Sequence, residues 1–383
     1  MTELFHLYLL PDICLWIFVA ATLLQLAFLW GVAARLACFQ LPDRTAPNPV
    51  AGASVVICAR NEAHHLRSYL PKILAQEYPG EWELVVVDDA SEDDTPAVLE
   101  GFRKKHGRLR VLRVPEKAFP GKKYALSQGI AAARFEHLFF TDADCEPASV
   151  FWLSHMAAAL SEKAETDIVL GYGPMRASVP GTFLNGWVRF ETAQTAIQYL
   201  GFARAGMPYM GVGRNLAWKR KVFDRAGGFS AHLALASGDD DLLVNAAATR
   251  TNTGICLHPE SFMYSEGATS GADWFRQKHR HLSAGKRYRL VHKAVLGMLS
   301  LSHTLHYFLL VALFSAGFGT ITVACLFFLR SFSLLFLYGK IFPKLREFQL
   351  LSQVPIYDTL LAAYYGAFVP ISLINNQHAR KWK

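Results

Sequence analysis

Apolar and polar positions divide the chain into three stretches. From Ile13 to Arg35 an apolar run carries no charge until its last residue. That is long enough for a helix to cross a bilayer, which takes about 20 residues. Glu3 and Asp12 stand before the run, Arg35 and Arg44 after it. The positive-inside rule then predicts an outside N-terminus, with the residues after Arg35 in the cytoplasm. A cleaved signal peptide fits poorly, because the start is acidic and no small-residue cleavage site follows. Gln40 to Ala51, with three prolines, reads as a linker.

The middle stretch alternates short apolar runs with helix-period patterns. Ser54–Cys58, Trp82–Val87, Arg108–Val114 and Leu138–Phe140 read as buried strands. Helix patterns follow the first to about Leu74, the second to about Lys105, and open again at Gly121 to about Arg134. Strand and helix alternating over short connections predict a doubly wound α/β domain with a mainly parallel sheet. In such sheets ligands bind beyond the C-terminal strand ends. The polar clusters Arg60-Asn61-Glu62, Asp88-Asp89 and Asp142-Ala143-Asp144 all fall there.

The third stretch turns apolar again. Ala294 to Leu337 is interrupted by His303, His306 and Arg330, and is long enough for two spans with a turn at Gly317-Phe318-Gly319. Val354 to Ile374 is a third apolar segment, broken by Asp358 and Pro370. Two spans return the basic loop Lys340–Arg346 to the cytoplasm, whereas a third full span would put the basic tail Arg380–Lys383 outside. The last segment therefore reads as spanning, re-entrant or interfacial. Arg330 is expected to face a neighbouring span or water, since a lipid-facing charge is costly.

Composition sharpens this division. The 383 residues are 52% hydrophobic, which is high for an ordinary soluble protein. The net charge of +8 sits largely beside the apolar segments, where it suits a membrane surface rather than a nucleic acid. No nucleic-acid motif, G-x-G-x-x-G dinucleotide fingerprint or P-loop is present. The six cysteines form no C-x-x-C pair, so a disulfide framework or cysteine zinc site is not expected.

The acidic clusters carry the candidate chemistry. Asp142 and Asp144, two apart at a strand end, project to one side and suit a divalent cation with oxygen ligands, which in turn suits a diphosphate. Alone, D-x-D equally describes a solvated acidic loop. Asp88-Asp89 can cap the helix that follows them. Downstream, Ser237-Gly-Asp-Asp-Asp-Leu-Leu243 puts three carboxylates in a row, and their repulsion raises the proton affinity of at least one. A helix N-terminus with acidic first-turn residues is the plainer account.

With Val85–Ser91 (V-V-V-D-D-A-S), Asp142-Ala-Asp144, Gly121-Lys-Lys-Tyr-Ala-Leu, Gly211–Arg220, the Gly-Asp-Asp run and Gln277-Lys-His-Arg280, the chain resembles membrane-bound members of glycosyltransferase family 2. The resemblance covers about Ser54 to His281. It implies the GT-A fold, a doubly wound α/β nucleotide-sugar-binding domain in the cytoplasm, flanked by transmembrane helices. The implied layout is an N-terminal transmembrane helix at 1–38, a linker at 39–50, the GT-A domain at 51–290 with an interfacial helix at its end, and a C-terminal membrane region at 291–383.

The resemblance also implies roles. Asp89 would hydrogen-bond a uracil imide with Asp88 in support, and Ala59 and Glu62 would line that pocket. Lys122 would offset the charge of a diphosphate; for Lys123 a solvated first-turn position fits as well. Asp142 and Asp144 would hold Mg2+ or Mn2+. Gly213 and Asn215 lie in the acceptor-side segment, and Gln277 and Arg280 match the family's Q-x-x-R, with Arg280 a diphosphate partner. Asp240 would be the catalytic base with Asp239 its neighbour, or Asp239 the base in another register. The implied reaction is inverting transfer from a nucleoside-diphosphate sugar, UDP-linked by preference, to a lipid or lipid-linked glycan acceptor at the inner (plasma) membrane. His281 stands where processive synthases carry tryptophan, which counts against a polysaccharide synthase. An inactive nucleotide-sugar-binding scaffold is the competing non-enzyme reading, and a globular middle of about 240 residues disfavours a transporter. Two smaller expectations are that His64 and His65 are solvated and that Arg276, Lys278, Lys286 and Arg287 face lipid phosphate. The aromatics of Trp187–Phe202 are expected to serve packing.

Overall fold

The computed structural model describes residues 2–41, 51–116, 119–177, 181–233, 235 and 237–370. Most of the expected linker, at 42–50, and the basic tail Arg380–Lys383 lie outside the described residues. The chain divides into two compact units, one of residues 2–39 with 289–370, the other of 40–288.

The first unit is helical. α1 (Thr2–Phe28) runs through a π turn (Leu29–Ala33) into α2 (Ala34–Ala37). The helix starts well before Ile13 and accommodates Pro11 in its interior.

In the other unit the elements run in the order β1 (Ala53–Ala59), α3 (Ala63–Leu74), β2 (Trp82–Asp89), α4 (Thr95–Arg103), β3 (Leu109–Val114), α5 (Lys123–Ala132) and β4 (His137–Phe140). Then come β5 (Cys145–Pro147), α6 (Trp152–Ser161), β6 (Ile168–Gly171), β7 (Met175–Arg176), α7 (Phe183–Arg204), β8 (Leu216–Lys219) and α8 (Arg220–Arg225). Last are α9 (Asp241–Ala247), β9 (Thr253–Cys256), β10 (Met263–Glu266) and α10 (Gly271–Gly285). The chain returns to the helical unit with α11 (Leu290–Ser315), α12 (Thr320–Ile341) and α13 (Val354–Ala363).

Seven strands form one sheet in the order β3-β2-β1-β4-β8-β6-β9, while β5, β10 and β7 form a small second sheet. β1 and β2 are buried along their whole length, as continuous β-branched runs are when helices cover both sheet faces. α3 turns Ala63, Leu66, Leu70 and Ile73 into the core, three or four residues apart. Side-chain caps fix the starts of two later helices: Thr182 accepts from the Asn185 amide at α7, and Ser270 from the Asp273 amide at α10.

The sheet is mainly parallel, with one exception that positions the site. β8 pairs antiparallel with both β4 and β6. It lies inside the Gly211–Arg220 segment, which holds the expected acceptor-side residues Gly213 and Asn215. Four residues are too short for a period to show, and the strand is recognisable only through its neighbours. Because β8 runs against β4, with Leu216 opposite Phe140, it enters at the edge where β4 ends. Residues just before β8 therefore meet the residues just after β4.

Among the described residues of the helical unit, three helices are long and apolar enough to cross a membrane: Leu10–Ala37, Leu290–Ser315 and Thr320–Ile341. The α11–α12 turn falls at Gly317 and Gly319, both with positive φ. The Val354–Ile374 segment is not among the three; its described part is α13 and a π turn at Tyr364–Phe368. α13 is held by charge. Arg330 of α12 is 2% exposed and pairs with Asp358, the residue that breaks the apolar pattern of that segment. Tyr307 donates its hydroxyl to the same carboxylate at 2.6 Å, and His303 Nε2 donates to the Asp358 carbonyl at 2.8 Å. Gln25 of α1 donates to Ser302 Oγ at 2.7 Å, and Thr22 meets His306 Nδ1 at 2.9 Å. Arg330 thus faces neither lipid nor water but a buried carboxylate.

Removing one partner of such a pair strands the other charge, at a cost of about 3–5 kcal/mol. Asp358→Leu should therefore lower the thermal midpoint of the detergent-solubilised protein sharply. The Arg330→Leu, Asp358→Leu double variant should recover most of that loss. A double variant that loses the sum of the two single losses would show that the two charges do not act as a pair.

Candidate active site

Two turns at the C-terminal edge of the parallel strands are tied to each other. After β1, Asn61 takes a positive φ of 55°. Its amide donates to Ser91 Oγ at 3.0 Å, and its side chain accepts from the Glu92 amide at 2.8 Å. The Glu62 amide donates to Thr95 Oγ1 at 2.9 Å. Asp88, almost fully buried, accepts from the Ser91 amide at 3.1 Å and closes the turn after β2, with Arg113 Nε 3.7 Å from its other oxygen. Asp89 is equally buried beside it, and Ala59 lies opposite Asp88 in the strand register. Glu62 pairs with His65 Nδ1 at 2.6 Å, so His65 is engaged rather than simply solvated.

The centre of the site is Lys122, just before α5. Its ammonium lies 2.6 Å from Asp142 Oδ1 and 3.0 Å from Asp239 Oδ2. Burial opposes its charge, but the carboxylates of Asp142, Asp239 and Asp240 outweigh that and hold its pKa well above the ordinary lysine range. Burial pushes Asp142 up, and Lys122, with Arg214 and Arg280 behind it, overrides this and brings its pKa below the usual value. The ligand atoms of Asp142, Asp144 and Cys145 lie within 4.8 Å of one another. Burial drives the Cys145 thiol pKa far up, so it stays protonated. The two carboxylates of this cluster could hold a cation, and such a hard-oxygen donor set fits Mg2+ or Mn2+.

The Gly-Asp-Asp-Asp run closes the site from the opposite side. Gly238 takes φ +93°. Asp240 accepts from the Gly213 amide and, at 2.8 Å, from the Asp241 amide that opens α9. A Cβ on Gly213 would stand 3.1 Å from Asp240 Oδ2, so glycine permits this close approach. Burial first, and the adjacent Asp239 second, push the Asp240 pKa to about 6. Burial and Asp240 push Asp241 further, to about 8, while Tyr288 donates to it at 2.8 Å. Repulsion among the three carboxylates thus falls hardest on Asp241, a residue that the sequence reading left without a role.

Four placements differ from the sequence reading. Asn215 is fully buried, bonded to Trp152 Nε1 at 2.9 Å, the Tyr172 carbonyl at 2.8 Å and the Ser261 carbonyl at 2.7 Å. It braces the site from the core and offers no polar atom to an acceptor. Lys123 is not solvated: it is 0% exposed and donates to the carbonyls of His232, Leu235 and Ser237 at 2.9, 2.9 and 2.6 Å, caging the loop before Asp239. Lys278 does not face lipid phosphate, because it is buried against Glu191 of α7. Arg214, unassigned from sequence, donates to the Gly173 carbonyl at 2.7 Å and presents a second cation to Asp142. The run Gly-Arg-Asn between two assigned positions was the available signal for it. Arg280 lies on α10 where its charge reaches Asp142, and Gln277 is half-buried one turn earlier.

A family model described as glycosyl transferase family 2 matches residues 54–230 of the chain, and one described as glycosyl transferase family group 2 matches 153–364, more than half of it. The chain belongs to glycosyltransferase family 2. Beta-monoglucosyldiacylglycerol synthase of Trichormus variabilis is 25% identical over 241 residues, covering 61% of this chain and 49% of that protein. Dolichyl-phosphate beta-glucosyltransferase of Drosophila melanogaster is 39% identical over 106 residues, covering 25% and 32%. The chain spans about half the length, or less, of these curated relatives. The solved mannosyltransferase PcManGT from Pyrobaculum calidifontis, in complex with GDP-Man and Mn2+, superposes with a TM-score of 0.58 at 21% identity, over 94% of this chain and 99% of that one. The fold of this family member is GT-A.

The raised carboxylates give the family member a pH signature. Between the ordinary aspartate value of 3.8 and about 8, folded Asp241 keeps a proton that the unfolded chain has lost. Its stabilising contribution is complete below the unfolded value and is lost as pH rises through the folded one. Asp241→Asn should flatten the decline of the thermal midpoint across that window, so that the variant gains on the wild type at pH 8. Parallel wild-type and variant curves would remove the assignment.

Proposed function

We propose that the chain is a membrane-held, inverting, metal-dependent glycosyltransferase. It moves a hexose or hexosamine from a UDP-sugar to a hydroxyl of a lipid or lipid-linked glycan acceptor at the cytoplasmic face of the plasma membrane. The observation that carries the reading is the junction at Lys122, where the Asp142-Ala-Asp144 turn meets the Asp239-Asp240 run. One cluster can so serve both a departing diphosphate and an attacking hydroxyl. The apolar helices of the other unit, and relatives whose names specify diacylglycerol and dolichyl-phosphate products, support a lipid acceptor.

Each group has a distinct task in this reading. Asp89 accepts from the uracil imide and Asp88 holds the turn that aims it, beside Ala59 and Glu62. Lys122, Arg214 and Arg280 offset the diphosphate, arginine through paired N–H donors. A divalent cation, when held by Asp142 and Asp144, neutralises charge on the departing diphosphate. Asp240 takes the proton of the acceptor hydroxyl as that oxygen bonds to the anomeric carbon and the bond to phosphate breaks. A pKa near 6 leaves Asp240 ionised at neutral pH yet more basic than an exposed aspartate. Its bond to the Gly213 amide fixes the direction of the carboxylate, and Asp239, tied to Lys122, is the less free of the pair.

Membranes carrying the protein, given a panel of radiolabelled nucleotide-sugars, should form an organic-soluble product from a UDP-sugar. EDTA should abolish it, Mn2+ or Mg2+ should restore it, and Asp144→Ala should remove it. Transfer that persists in EDTA would rule out the metal role, and long water-soluble chains would point to a synthase instead. Separately, Asp240→Asn should lower kcat by about 10²–10⁴-fold. The wild-type kcat/KM should rise with pH through about 6 as Asp240 ionises. Full activity in Asp240→Asn with loss in Asp239→Asn would move the base to Asp239.

A further inference from the structure

Asp240 is aimed by two backbone amides from different parts of the α/β unit. The Gly213 amide comes from the segment before β8, and the Asp241 amide, at 2.8 Å, opens α9. The direction of the carboxylate therefore depends on how those two segments sit against each other. They are joined at a further point: Asn245 of α9 donates to the Tyr209 carbonyl at 2.7 Å, and both residues are buried. Between Tyr209 and Gly213, a Cβ on Gly211 would stand 2.9 Å from Leu170 Cδ2 and 3.0 Å from Leu216 Cδ1, so this backbone is closely packed.

A third element closes the arrangement. Tyr288, in the turn after α10, donates its hydroxyl to Asp241 Oδ2 at 2.8 Å. The same hydroxyl lies 3.9 Å from Met210 Sδ, and the ring meets that of Tyr209 edge-on, with centroids 6.1 Å apart. One side chain thus touches both α9 and the segment that leads to Gly213. Asp241 is 8% exposed, and its Oδ1 has no hydrogen-bond partner among the described residues, so the carboxylate depends on the Tyr288 hydroxyl. Ahead of the acidic run, Ser237 Oγ donates to the Arg280 carbonyl of α10 at 3.3 Å. α10 and the turn after it therefore fasten the chain on both sides of Asp239 and Asp240.

We propose that Tyr288 is a positioning residue for the reaction: through Asp241 it fixes Asp240 against the Gly213 amide and couples that base to α10, the helix that carries Arg280. The inference rests on the reading of Asp240 as the base. An attacking oxygen must lie within hydrogen-bond reach of the base and in line with the bond that breaks. A small rotation of Asp240 therefore lowers turnover more than it weakens donor binding. The hydroxyl carries this role rather than the ring. Tyr288→Phe keeps the packing on Tyr209 and Met210 and removes only the hydrogen bond.

The test uses the full-length chain in membranes, with the radiolabelled UDP-sugar that gives the most product. Tyr288→Phe should lower kcat by about 10–100-fold while KM for that donor and the thermal midpoint stay near the wild-type values. A merely structural support would instead lower the midpoint and leave kcat of the folded protein intact. Asp241→Ala should lose a similar factor, and Asp241→Asn, which keeps an acceptor for Tyr288, should recover most of it. Adding Tyr288→Phe to Asp241→Ala should cost nothing more. Wild-type kcat in Tyr288→Phe, or additive losses in that double variant, would overturn the proposal. Should Tyr288→Phe fold poorly, the two Asp241 variants decide, equal losses counting against it. Full activity in Asp240→Asn, or no transfer from any donor, would remove the base and this inference with it. Loss in Asp240→Asn beside unaltered turnover in Tyr288→Phe removes this inference alone.

Discussion

A single partly buried ammonium holds two distant parts of the α/β unit at one point. Lys122 contacts Asp142, at the end of a central strand, and Asp239, nearly a hundred residues later. Without that cation, carboxylates from two segments would converge in a partly desolvated cleft and repel. With it, Asp142 is held ionised, and the excess proton affinity passes to Asp240 and then Asp241. The charge of Lys122 therefore sorts the acidic residues by ionisation. Asp142, beside the cation, stays charged, while Asp240 and Asp241 retain protons more readily.

The scaffold that allows this meeting is one reversed strand. The ends of β1, β2 and β4 would cluster in any parallel sheet of this order, and loops after them would carry the polar residues. A parallel strand beside β4 would place the Gly213–Arg214 backbone at the far edge. Because β8 runs antiparallel, that backbone arrives where β4 leaves, and Gly213 can donate to Asp240. Lys123 completes the arrangement from below. Its ammonium replaces water for three carbonyls of the loop that leads to Asp239. Two adjacent lysines thus divide the work, one binding side chains and one binding backbone.

The helical unit applies the same device in a more apolar setting. Arg330 and Asp358 are each costly to bury alone, and together they join α12 to α13, with Tyr307 and His303 adding hydrogen bonds to Asp358. The pair says little about total stability, since well-packed apolar residues could do as well. It does specify which face of α13 meets α12.

Local physics made much of this legible in the chain. Continuous β-branched runs marked β1 and β2, apolar length marked the three long helices, and acidic residues after strand ends marked the cleft. Those signals depend only on neighbours a few residues away, so a sequence carries them directly. Asp142 and Asp144 drew notice in this way, Asp239 and Asp240 through the resemblance of their Gly-Asp-Asp run, and the Gly317–Gly319 turn through its glycines. What the tertiary structure decided depends on partners far along the chain. Lys123 fits a solvated position and Lys278 a lipid-phosphate-facing one on local pattern, but each meets a buried acceptor that no local pattern announces. Asn215 sits in a motif that suggests ligand contact, yet Gly171, lacking a Cβ, leaves room for its side chain in the core. Arg214 and the antiparallel course of β8 were hidden for the same reason: their meaning lies in which strand they face. Sequence determined what chemistry was available; long-range pairing decided which of those groups share a site and which only hold it in place.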